Sequence, residues 1–67
     1  MPSLADIPEI FHSADSKYLF LNWLSRLPVD PHVKRALINF WSQEYNVRVS
    51  SAARSLVNRG DEVPANV

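Results

Sequence analysis

A chain of 67 residues has room for one domain and no second core, and a domain this short hides only about 60% of the surface its unfolded form exposes. It contains no cysteine, which excludes disulfides and thiolate metal sites, and the widely separated His12 and His32 do not make a structural zinc site on their own. Seven Lys+Arg balance seven Asp+Glu, but unevenly: residues 1–15 carry Asp6, Glu9 and Asp15 and no base, residues 16–60 hold all seven bases against Asp30 and Glu44, and Asp61 and Glu62 follow.

Gly60 is the only glycine, so tight β-turns are scarce, and strict apolar/polar alternation is confined to the short run 46–50. The chain therefore reads as all-α, a small three- to four-helix bundle over residues 1–60 followed by a flexible tail, 61–67. Its first element is a short helix over about 7–12. There Asp6 can cap, Pro8 suits a first turn, and Ile7, Ile10 and Phe11 share one side. A second helix spans about 15–27, with Phe20, Trp23, Leu24 and Leu27 at the i, i+3, i+4, i+7 spacing of a buried stripe. Tyr18, Leu19 and Leu21 widen that stripe, and Pro28 ends the helix.

Asp30-Pro31 is the clearest local signal. An N-cap aspartate accepts free first-turn N–H groups, and proline at the first helical position lacks a donor that would be orphaned anyway. The helix that follows, 31–45, places Val33, Ala36, Leu37, Phe40, Trp41 and Glu44 on one face, with Ile38 and Tyr45 on its flank. The short connection makes helices 15–27 and 31–45 neighbours, a central antiparallel pair. Asn46 suits a left-handed C-cap. A last helix over about 49–59 buries Val49, Ala52, Ala53, Leu56 and Val57 and ends at Arg59-Gly60.

Catalysis is not expected. Asp15 and Asp30 read as caps, Asp61 and Glu62 as tail, His12 and His32 as residues at helix ends, and no phosphate loop, nucleophile–base spacing or metal signature is present. Neither a cofactor nor a small-molecule substrate is expected. Arg59-Gly60-Asp61 matches an integrin-recognition word that a helix-ending Arg-Gly explains without that function. The N-terminus shows no basic region followed by an apolar run, and the longest apolar stretch, 18–21, is far too short to cross a bilayer. A complete, cytoplasmic gene product with no membrane partner is the expectation.

Function is then read from surface. Residues 18–45 hold six of the seven aromatics, more than two helices and a short flank are expected to cover. Burying a large apolar side chain is worth about 1.5–3 kcal/mol, and Trp, Tyr and Arg dominate interface hot spots. The expectation is a non-enzymatic helical module, of the kind small bacterial and bacteriophage regulators use, that binds a protein partner as a homodimer through Tyr18, Leu21, Ile38, Trp41 and Tyr45. Oligomerisation would complete its core. The alternative is a helix-turn-helix-like DNA-binding transcriptional regulator, with Ser50, Ser51 and Arg54 near the start of the last helix against bases and Lys34, Arg35, Arg48 and Arg59 supplying charge to the nucleic acid.

Overall fold

The computed structural model describes residues 2–59, with Arg59 described by its backbone alone. The expected helix stop at Gly60, the flexible tail 61–67 and the Arg59 side chain as a nucleic-acid contact lie outside the described residues. The fold is all-helical. Three single 3-10 turns, Leu4–Asp6, Glu9–Phe11 and Ala14–Ser16, precede α1 (Lys17–Arg26), α2 (Pro31–Tyr45) and α3 (Ser51–Arg59).

The expected first helix over 7–12 is corrected to a single 3-10 turn, Glu9–Phe11, and Pro8 is the cause. Ile7, immediately before it, is held extended at φ −118° and ψ 128°, as a pre-proline residue must be. Asp6 does not cap a helix over 7–12; its Oδ2 accepts from the Ser3 backbone N–H at 2.9 Å. Because the turns are not in α phase, Ile7 and Phe11 are buried while Ile10 faces outward. The segment is pinned by His12, whose Nε2 lies 2.7 Å from the Ile7 carbonyl and 3.1 Å from that of Leu4. Both partners are acceptors, so this nitrogen carries the proton and donates to the two.

α2 begins as the sequence dictates. The Asp30 carboxylate accepts from the His32 N–H at 2.8 Å, with Pro31 at the first helical position. It ends at Asn46 in the left-handed region, φ 52°, where the Val47 N–H reaches back 2.9 Å to the Ser42 carbonyl and satisfies an orphaned acceptor. Ser50 then starts α3, its Oγ accepting from the Ala53 N–H at 3.1 Å.

Side-chain pairs give the helix directions. Phe20 stacks on Trp41 with ring centroids 4.8 Å apart, and Lys34 Nζ meets the Ser25 carbonyl at 3.0 Å. Rising numbers in α1 thus meet falling numbers in α2. Asn39 pairs with Arg54 and Lys34 with the Val57 carbonyl, so α3 runs back along α2 and parallel to α1. The backbones of α1 and α3 stay close over a greater length than those of α1 and α2. Large rings separate α1 from α2, whereas α3 offers Ala53 and Val57 at its contact with α1.

The core comprises Ile7, Phe11, Phe20, Leu21, Leu24, Leu37, Ile38, Trp41, Val49 and Val57. On α1 and α2 this inner face is turned from the expected one: Leu21 is buried and Trp23 only half-buried, and α2 buries Lys34, Leu37, Ile38 and Trp41 while Val33 and Glu44 face water. On α3, Ala52 and Leu56 lie outside the core in which they were expected.

Candidate interaction surfaces

Five residues were expected to meet a partner, and the structure divides them. Leu21, Ile38 and Trp41 are buried within the chain's own core, which corrects their assignment to a free surface. Leu21 and Ile38 lie beside α3; for Trp41 the cause is the N-terminal segment. Phe11 closes over Phe20 and Trp23, with centroids at 6.2 and 5.4 Å, and its carbonyl accepts from the Trp41 indole Nε1–H at 2.8 Å. Tyr45 is half-buried, 5.4 Å from the Trp41 ring. Its phenol is pushed above the ordinary 10.0 first by burial and second by the Glu44 carboxylate. Tyr18 alone of the five is fully outward, at 78% exposure.

Tyr18 borders a mostly apolar groove between α1 and α3, about 260 Å³ in volume, with Leu21, Ala53 and Val57 along it and Leu56 opposite. Leu56, at 64% exposure, was expected inside; it is the exposed groove residue that sequence periodicity missed. Placing α3 correctly in phase would have found it, since Val49, Ala53 and Val57 fall at i, i+4, i+8 without it. A wider groove of about 500 Å³ lies where the N-terminal segment meets the α1–α2 connection, among Asp6, Leu27, Val29, His32, Val33 and Ala36.

The candidate nucleic-acid residues are also divided. Lys34 is 0% exposed, and its Nζ donates to the Ser25 and Val57 carbonyls at 3.0 and 3.4 Å. That position, among the carbonyl-rich ends of α1 and α3, removes it as a surface phosphate contact. Arg54 Nη1 donates to Asn39 Oδ1 at 2.6 Å and its Nε to the Val49 carbonyl at 3.4 Å. Ser50 caps α3, while Arg35, Arg48 and Ser51 are exposed.

Among the described residues no cluster of three or more histidines or carboxylates is placed to hold a metal, and no helix is long and apolar enough to cross a membrane. Compared with known proteins, the chain matches no family model, no curated protein and no solved structure.

Proposed function

We propose that the protein is a non-enzymatic binding module that acts by docking another protein chain, a second copy of itself in the first place. One observation carries this reading: Tyr18 and Leu56 stand exposed on the two rims of an apolar groove between α1 and α3. Leaving them wet forgoes part of the about 1.5–3 kcal/mol that full burial of a large apolar side chain brings, and Tyr is a residue type enriched at interface hot spots. A specific interface at the small end covers about 600 Å² per copy, roughly an eighth of the chain's 4757 Å². Dimerisation through this face would add a second layer of helices. Two side chains with acid–base chemistry are engaged structurally, His12 with two backbone carbonyls and Asp30 as a cap, which favours binding over catalysis.

Sedimentation velocity across a concentration series tests it. Wild type is expected to move from monomer to dimer, and the Tyr18→Glu, Leu56→Asp double variant to stay monomeric with unchanged helicity. A wild type that is monomeric throughout overturns self-association.

The DNA-binding reading draws on Arg48 and Ser51, exposed around the α2–α3 break, and on Arg35, exposed near the start of α2. A labelled random-sequence duplex titrated at low and near-physiological salt tests it, because phosphate contacts weaken steeply with salt. No binding at low salt removes that reading.

A further inference from the structure

Around α3 from the Tyr18 groove, a small cavity of about 110 Å³ opens among Arg35, Ile38, Asn39, Arg54 and Asn58. Its volume is well above the roughly 10–15 Å³ that one water needs. Residues 31–58 carry four Lys/Arg against one carboxylate, Glu44. Arg54 is already fixed by its bonds to Asn39 and the Val49 carbonyl, so little freedom is lost when it takes a ligand. Arg35 is exposed and makes no ion pair among the described residues. The carbonyl end of α3, which would repel an anion, is satisfied at Val57 by Lys34 Nζ. Asn58 Oδ1 is enclosed and has no donor among the described residues, a costly state for a polar atom.

We propose that this cavity is a carboxylate site that receives an aspartate or glutamate side chain of the docked protein, an inference that rests on the protein's being a module that docks another chain. A guanidinium grips a carboxylate by two parallel N–H···O bonds, and Arg35 and Arg54 present two such groups to one cavity. The orphan acceptor on Asn58 selects between anions. A peptide brings backbone N–H donors beside its carboxylates and can satisfy that oxygen, whereas a phosphodiester brings acceptors only.

Fluorescence anisotropy of a labelled hexaglutamate peptide, with hexaglutamine as control and a labelled DNA duplex in parallel, tests the site on the full chain. Hexaglutamate is expected to bind and hexaglutamine not. Arg35→Gln is expected to weaken the peptide about tenfold, the loss of one charge-assisted hydrogen-bonded contact. Arg48→Gln removes the same charge away from the cavity and is expected to bind as wild type does. In a titration followed by 15N-resolved NMR, the Asn58 side-chain amide and Arg54 Nε–H signals are expected to shift first. Equal weakening by the two arginine variants reveals a diffuse basic face and overturns the site. So does absence of peptide binding at low salt, or duplex binding that needs Arg35 where the peptide fails. A monomeric chain that still takes the peptide at Arg35 refutes self-association alone; a dimer that ignores the peptide refutes the carboxylate site alone.

Discussion

Replacing Trp41 by phenylalanine tests how the N-terminal segment holds the core. Trp41 is 0% exposed, stacked on Phe20, and its indole N–H donates to the Phe11 carbonyl at 2.8 Å. Phenylalanine keeps a ring against Phe20 but leaves the Phe11 carbonyl buried without a donor, at about 1–3 kcal/mol. The void left by the missing ring adds about 1 kcal/mol. A chain of 67 residues has a total stability of only about 3–10 kcal/mol, so a loss of about 2–4 kcal/mol removes a large part of it. At roughly 4–8 °C per kcal/mol for a domain of this size, Tm falls by at least about 8 °C. Urea and thermal unfolding followed by far-UV circular dichroism measure the loss. Trp23→Phe, at a half-buried ring whose N–H has no partner among the described residues, is expected to cost distinctly less. Hydrogen exchange gives a second readout, with the Trp41 indole N–H protected and that of Trp23 exchanging quickly. A Trp41→Phe Tm within about 3 °C of wild type, less than 1 kcal/mol, would show that the Phe11 carbonyl is hydrated and the segment not locked.

Lys34→Met keeps the apolar stem and removes the donor to the carbonyls of Ser25 and Val57; it is expected to cost about 1–3 kcal/mol in urea unfolding. Lys34→Ala loses about three more methylenes at ~0.8 kcal/mol each, so the alanine variant should be the weaker, and equal stabilities would refute the buried placement. At Asn46, φ 52° is open to glycine but costly for a β-branched residue: Asn46→Val should lose about 1–2 kcal/mol and Asn46→Gly almost none. Tyr45 titration ties pH to stability. Its phenol pKa is raised above the ordinary 10.0, so the folded chain holds that proton after the unfolded chain has released it. The stability it contributes is fully present below the ordinary value and is lost as pH rises through the folded one. Tyr45→Phe should flatten that alkaline decline, Glu44→Gln should lower the Tyr45 midpoint in a UV difference titration, and an unmoved midpoint would remove Glu44 as a cause.

Local chemistry was legible where one or two residues decide it. Asp30-Pro31 starts α2 and Asn46 ends it in the left-handed region, as expected from capping alone. Helix phase was not legible, because the residue that sets it on α2 is a lysine. Hydrophobic periodicity puts Lys34 in water, yet its stem is enclosed and its Nζ meets backbone carbonyls from two other helices, contacts that exist only after the chain has folded. Turning α2 by that one residue carries Ile38 inward and Val33 outward. The same blindness hid Leu56 on the outer side of α3 and placed Leu21, Ile38 and Trp41 on a free surface. No local pattern announces that Phe11 will offer Trp41 a carbonyl from thirty residues away.

Those two polar ties also bear on where a partner can bind. The Trp41–Phe11 bond and the Lys34 bonds lie at different points along α2, and between them they attach the N-terminal segment, α1 and α3 to it. Each adds a polar tie to elements that also share the apolar core. Because these ties point inward from α2, the groove between α1 and α3 and the polar cavity between α2 and α3 are left on the outside. A ligand at either place would cross two helices that are already held together. Its binding should therefore raise the unfolding midpoint with the logarithm of concentration, without requiring the helices to rearrange. Helicity should stay constant as hexaglutamate or a second copy saturates its face. A gain in helicity on binding would mean that α3 is not docked in the free chain, and that the surfaces form only with the partner present.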